Sequence, residues 1–458
     1  LPAFDPNAVG VRFNFSSNSP LAFAVLGGVL PGHGNVISGN SSHGVSYNLT
    51  NVRGARVLGN LIGTAADGKT ALPNGGNGIL CRSTQVDGSN AIGGTLPGSG
   101  NLISGNTTSG IRFTNNGATP ARSYGIQGNR IGVNIDGDPL ANGAHGIHLE
   151  GAQDNLIGGT ESGAGNLIAH NTLDGVSVTT AIGGATSLRN RISGNAIHSN
   201  GGLGIDLEDN GITTNDALDA DTGPNNLQNF PVVTLAEATG GSLIGAFNSA
   251  PSTIFRVEFF SNTAADPFGN GEGQTFLGHI DLITDGNGDA DFALMSPLPM
   301  TAGHFVSVTA TDPEGNTSEF GPALTIAPGF TFVDTDDDGM SDDYELENFG
   351  TITGGDPLLD QDFDGKSNLF EFISLTSSKD PNSRLEAEPS KDGTGFKVRI
   401  KTEIGRLYRL FASSDLLTFD PAGAEIAGTG GFITFTDTAP PNDRRFYQVQ
   451  VRLAQQTP

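Results

Sequence analysis

At 458 residues the chain has room for several domains, each with its own core. A formal charge of −26 argues against nucleic acid and anionic membrane surfaces as partners, and the single cysteine, Cys81, allows no internal disulfide. Glycine is abundant at 67 residues, but the apolar residues alternate, which predicts ordered β structure rather than disorder.

The first half is a repeat. GNVISGN at Gly34–Asn40, GNLISGN at Gly100–Asn106 and GNLIAHN at Gly165–Asn171 are copies of one element. A second element is anchored on Gly10, Gly44, Gly78, Gly110, Gly146, Gly175 and Gly204, spaced 34, 34, 32, 36, 29 and 29 residues apart. A third ends in GN or IGG: RVLGN, SNAIGG, GIQGN, DNLIGG and RISGN. Three short strands per period of about 30 residues predict a solenoid with one strand on each face.

In the Gly-anchored strands the period-two alternation turns Val11 and Phe13, Ile79 and Cys81, Ile111 and Phe113, Ile147 and Leu149, and Ile205 and Leu207 inward. Asn35, Asn60, Asn101, Asn129, Asn166 and Asn195 of the GN turns are expected to form an amide ladder between coils. The longer inserts Gly63–Gly76 and Gly132–Ala144 leave at one point of alternate coils and should lie side by side. These motifs resemble the right-handed parallel β-helix repeat proteins, relatives of the pectin-lyase-like superfold. The resemblance covers about half the chain and implies about seven coils over residues 1–235. Gly202–Val232 looks like the terminal coil and exit of large secreted bacterial members.

Over 236–326 the alternation in FRVEFFSN, QTFLGHIDLIT, DADFALMS and HFVSVTATD predicts an antiparallel sandwich, resembling the immunoglobulin-like module that follows such β-helices in secreted bacterial proteins. Asp285, Asn287, Asp289 and Asp291 read as a tight hairpin turn.

The sharpest chemistry lies in residues 327–382. Between Asp334 and Glu371 stand ten Asp, three Glu and one Lys. Such a block repels itself apart unless cations are bound. DTDDDGMSDDYE sets Asp334, Asp336 and Asp338 at loop positions one, three and five, followed by Gly339, Asp342 at nine and Glu345 at twelve. DQDFDGKSNLFE repeats the pattern with Asp360, Asp362, Asp364, Gly365, Asn368 and Glu371. Alternate side chains and the position-seven carbonyls of Met340 and Lys366 supply the hard oxygens that calcium requires, and the glycine permits the sharp turn. Calcium is therefore the expected cofactor. The segment resembles the thrombospondin type 3 and dockerin-like calcium repeats, with a short helix after each loop, although each loop here ends in Glu. Residues 383–458 predict a second small β-sandwich, from FKVRIKT, LYRLFAS, FITFTDT and RFYQVQVRL.

The superfold includes polysaccharide lyases and hydrolases, so the outward residues of the Gly-anchored strands are candidates for chemistry. One column runs Arg12, Ser46, Leu80, Arg112, His148, Ser177, Asp206; the next runs Asn14, Asn48, Arg82, Thr114, Glu150, Thr179, Glu208. Arg112, His148 and Glu150 could supply the cation, base and carboxylate of a lyase or glycosidase. The mixed-charge surface of a soluble sheet is the favoured reading of them. Gly32-His33-Gly34 matches the polygalacturonase GHG triplet, but its companion motifs are missing, so a turn role for His33 is expected. The acids Asp206, Glu208, Asp209, Asp216, Asp219 and Asp221 form either a solvated cap or a further cation site.

Together these features predict a mainly β, secreted or surface-displayed bacterial structural protein: an adhesin, a spacer or a self-assembling fibre subunit rigidified by calcium. Its export signal is expected to have been removed before Leu1. The expected partner is a second copy of the chain, stacked head to tail, or an extracellular glycan; nucleic acid and membrane insertion are not expected. A polysaccharide lyase or glycoside hydrolase, and a carbohydrate-binding protein without turnover, are the alternatives.

Overall fold

The structure is a computed structural model that describes residues 8–15, 24–49, 54–83, 90–115, 120–296, 298–328, 333–374, 376–385, 387–392, 395–403, 405–437 and 445–453. Residues 16–23 of the first coil and the side chains of Asn14 and Asn48 lie outside what is described. The chain forms two compact units: residues 1–234 with 245–291 and 303–325, and residues 235–244 with 292–302 and 326–458.

In the first unit a parallel β-solenoid rises from the Gly-anchored repeat. Among the described residues one wall contains seven strands, from Val11–Phe15 to Ile205–Leu207, each parallel to the next. Two further walls hold six strands each, running from Val25–Gly27 to Arg191–Ser193 and from Val36–Ile37 to Ala196–His198. Ile79, Cys81, Ile111, Phe113, Ile147, Leu149, Ile205 and Leu207 are buried in one continuous core, with Val11 and Phe13 packed against it. Stacking like on like buries a column of Ile and Val from each wall, which gives the repeat its main driving force.

The GN turns supply the polar frame. Asn101 donates to Asn129 Oδ1 at 2.9 Å and receives Asn60 Nδ2 at 3.0 Å; the same bonds link Asn35 to Asn60, Asn129 to Asn166 and Asn166 to Asn195. A second ladder, Asn40–Asn74–Asn106–Asn142–Asn171–Asn200, stacks at 2.7 to 3.0 Å. In the first ladder the glycine before each Asn is fixed by close approach: a Cβ on Gly100 would lie 1.8 Å from the Gly128 carbonyl oxygen. The two long inserts do lie together, with Ile135 N–H donating to the Gly68 carbonyl at 3.0 Å and Lys69 Nζ paired with Asp136 at 2.6 Å.

The C-terminal end of the solenoid is covered within the same unit. The antiparallel strands Thr275–Ile283, Ile254–Asn262, Phe305–Thr311 and Leu324–Thr325 form a four-stranded sheet, and Phe260 and Phe320 join the solenoid core. Three glutamates meet the last strand of the three walls. Glu258 accepts from the Ser193 hydroxyl and, at 2.8 Å, from Gly194 N–H. Glu272 accepts from Asn200 N–H at 3.3 Å, while Ile197 and Gly273 exchange backbone bonds at 2.8 and 2.7 Å. Glu319 accepts from Leu207 N–H at 2.9 Å and Thr213 N–H at 3.0 Å. Edge donors that would template another strand are thereby satisfied.

One local expectation needs correction. The Asp285–Gly288 turn is present, with Gly288 N–H bonded to the Asp285 carbonyl at 3.1 Å. Its flanking strands, Thr275–Ile283 and Asp289–Met295, pass into different sheets, so the turn is not that of a hairpin.

The second unit contains helices α1 (Asp342–Phe349) and α2 (Asn368–Ser374), followed by two antiparallel sheets. Val398, Ile400, Tyr408, Leu410, Ile433 and Phe435 form a core there. Met340, Tyr344, Phe372 and Leu453 form another, in which the Tyr344 and Phe372 rings meet at 5.1 Å. Arg406 donates to the Ile373 carbonyl at 2.7 Å and the Phe372 carbonyl at 2.8 Å, placing a buried cation at the C-terminal end of α2.

Candidate functional site

Each acidic loop of the second unit is wound by its own side chains. Asp334 accepts from Asp338 N–H at 3.2 Å and Gly339 N–H at 2.9 Å; Asp360 accepts from Asp364 N–H at 3.1 Å and Gly365 N–H at 2.9 Å. The fourth positions, Asp337 and Phe363, and the sixth, Gly339 and Gly365, are left-handed in both loops. This winding gathers one carboxylate oxygen from each of Asp334, Asp336 and Asp338 within 4.8 Å, and likewise from Asp360, Asp362 and Asp364.

The helix after each loop brings in the position-twelve glutamate. Glu345 and Glu371 are fully buried, and among the described residues neither oxygen of either carboxyl finds a hydrogen bond of good geometry; the same holds for Asn368 Oδ1. Burial, with Asp336 and Asp338 adding to it, pushes Glu345 up to about 7. Glu371 is raised by burial against the pull of the Ser378 hydroxyl, with Asp362 adding to the rise. Buried carboxylates without donors are costly, and an oxygen-seeking cation beside them removes that cost. Asp342 is turned to Thr335, whose N–H and hydroxyl it accepts at 2.7 and 2.6 Å, so position nine would reach an ion only through water. Met340 and Lys366 stand at position seven; the Met340 side chain is buried in the α1–α2 core.

On the first wall of the solenoid, Arg112, His148 and Glu150 are brought together. Arg112 and His148 are register neighbours, and Arg112 Nη2 pairs with Glu150 Oε2 at 2.7 Å. Burial would raise the Glu150 carboxyl, but the Arg112 bond and charge outweigh it and hold the carboxyl below its ordinary value. His148 Nε2 is 3.0 Å from Thr179 Oγ1. Burial, His145 and Arg112 push the ring down to about 4, so it is neutral over the physiological range. Cation and carboxylate therefore serve each other. Much of the column expected to face solvent is covered: Leu80, Ser177 and Asp206 are at most 3 % exposed. His33 lies in an exposed turn, its N–H bonded to the Leu30 carbonyl at 3.0 Å.

The predicted acid cluster divides. Asp216, Asp219 and Asp221 gather in one group, in which burial pushes Asp219 up to about 6. Asp206 turns to Asn210 and Gly211 N–H, and Asp209 joins His145 and Asp174. Sequence reasoning passed over His145, Asp174 and the cleft of about 870 Å³ in the second unit, lined by Phe363, Lys366, Arg384, Phe396, Arg445 and Tyr447 among others. His145 carries an HG dipeptide in the sequence, shared with His33 and His43.

The class defined by these features is a mainly β protein: a parallel β-solenoid, antiparallel sheets and paired acidic loops. No family model and no curated protein matches the chain. Among solved structures it is similar to a tetra-tandem repeat in the extending region of a large adhesion protein, at 8 % identity and a TM-score of 0.16. That match covers 49 % of this chain and 48 % of the other, so the chain spans about half its length. A likeness of this size carries no inference about fold or role.

Proposed function

We propose that this chain is a secreted or cell-surface bacterial structural protein, an adhesin or spacer, whose acidic loops are rigidified by calcium. In this reading the solenoid is right-handed with about seven coils, the module after it is immunoglobulin-like, and residues 327–382 hold two calcium ions. The observation that carries the calcium part is the pair of fully buried glutamates, Glu345 and Glu371, whose four carboxylate oxygens make no hydrogen bond of good geometry to the described residues. They stand at position twelve of two loops that have already gathered three carboxylates each.

Assembly into a fibre by head-to-tail stacking would need two open solenoid ends. The covered C-terminal end restricts coil-on-coil stacking to the N-terminal coil. Sedimentation across a concentration series, with calcium and with chelator, tests this: we expect a monomer or a discrete small oligomer in calcium. Open-ended growth would restore the fibre-subunit reading.

A glycan-binding role without turnover is the second reading. It is favoured by the second unit's cleft, where Phe396 and Tyr447 stack at 4.3 Å beside Lys366 and Arg384. Aromatic faces flanked by cations suit acidic saccharides. Retention on acidic-glycan columns with no new chain ends supports it. Product formation that is lost in His148→Ala would instead point to a lyase or hydrolase.

A further inference from the structure

We propose that His145, Asp174 and Asp209, at the turn leading into the first wall of the solenoid, bind one first-row transition-metal dication, zinc by donor chemistry. His145 and Asp174 occupy the position immediately before the anchoring glycine, as do His43, Asn77 and Ser109. Along that column the usual arrangement is a side-chain acceptor taking the N–H of the next coil. His43 Nδ1 accepts from Asn77 N–H at 3.0 Å, Asn77 Oδ1 from Ser109 N–H at 3.2 Å, and Asp174 Oδ1 from Leu203 N–H at 2.8 Å.

His145 departs from this arrangement. Although 4 % exposed, its Nδ1 makes no hydrogen bond of good geometry; instead it lies 3.0 Å from Asp174 Oδ2. Two ligand atoms sharing one zinc ion at ordinary bond lengths stand about 3.0–3.5 Å apart. Asp209 supplies the third donor. One donor atom from each of the three residues falls within 4.8 Å of the others.

The Leu203 bond fixes the Asp174 carboxylate from behind, and the tilted His148 ring, 4.9 Å from that of His145, closes one side. Asp209, with its side chain 43 % exposed, leaves an approach from solvent and room for water to complete the coordination. An imidazole with two carboxylates suits zinc better than calcium, which takes oxygen ligands almost exclusively. Nothing in this site depends on the acidic loops.

The test uses the full chain saturated with calcium, so that the acidic loops do not compete. Zinc is titrated calorimetrically, and cobalt is followed by its visible absorption as a spectroscopic substitute. The wild type is expected to take up one equivalent. His145→Gln and Asp209→Asn should each weaken uptake at least tenfold while leaving calcium stoichiometry unchanged. Asp209→Asn, at a partly exposed position, keeps the test decisive if the His145 variant fails to fold. Absence of zinc uptake by the wild type, or equal uptake by Asp209→Asn, would reduce the cluster to an ordinary His–Asp ion pair and overturn the proposal.

Discussion

In the solenoid the buried side chain of Asn101 makes four hydrogen bonds, two from Asn60, one to Val57 and one to Asn129. In the acidic segment Glu345 and Glu371 are as deeply buried, yet their carboxyl oxygens make none of good geometry. The first region satisfies its interior polar groups from its own repeat. The second concentrates like charge around oxygens that a proton or a cation would satisfy. The difference predicts one region whose stability ignores calcium and another whose stability depends on it.

Removing calcium should have the largest effect. At a thousandfold excess over its dissociation constant, one ion contributes about 4 kcal/mol. Two sites should therefore move a calorimetric transition of the acidic segment strongly on adding chelator, with the solenoid transition unmoved. Next comes Asn101→Ala, which leaves several buried ladder groups unpaired and should cost about 2–4 kcal/mol of solenoid stability in denaturant melts, with or without calcium. Equal sensitivity of both transitions to chelator would erase the distinction between the regions.

A smaller effect should follow pH. Burial, opposed by the Leu207 and Thr213 N–H groups, pushes Glu319 up to about 7 from 4.5; burial does the same to Glu272. A carboxyl with a raised folded-state value contributes stability that is complete below about 4.5 and lost as pH rises through about 7. Solenoid melts should fall by on the order of 1–3 kcal/mol across that window, and Glu319→Gln should flatten the fall. The smallest effect belongs to Arg112→Ala. The Arg112–Glu150 pair is partly exposed on the arginine side, so its loss should cost less than about 1 kcal/mol in the same melts.

The sequence made visible whatever recurs or is local. Gly-anchored alternation fixed which side chains enter the solenoid core, and the GN turns revealed one Asn ladder. The second ladder was written in the same motifs, at Asn40, Asn106 and Asn171, but its members Asn74 and Asn142 sit inside the long inserts and break the visible period. The loop carboxylates were legible because their spacing is set by one turn of backbone. The cover over the solenoid end was not: Glu258 and Glu319 reach partners 64 and 112 residues away, and nothing in their surroundings marks them as caps. The burial of Ser177 and Asp206 was equally hidden, because strict alternation predicts a face without predicting what lies over it.

Counting calcium on the intact chain tests the central claim most directly. Equilibrium dialysis or calorimetric titration should give two equivalents per chain, and the double variant Glu345→Gln with Glu371→Gln should lose at least a hundredfold in affinity while the solenoid stays folded. An absence of saturable uptake, or two equivalents bound just as tightly by the double variant, would contradict it.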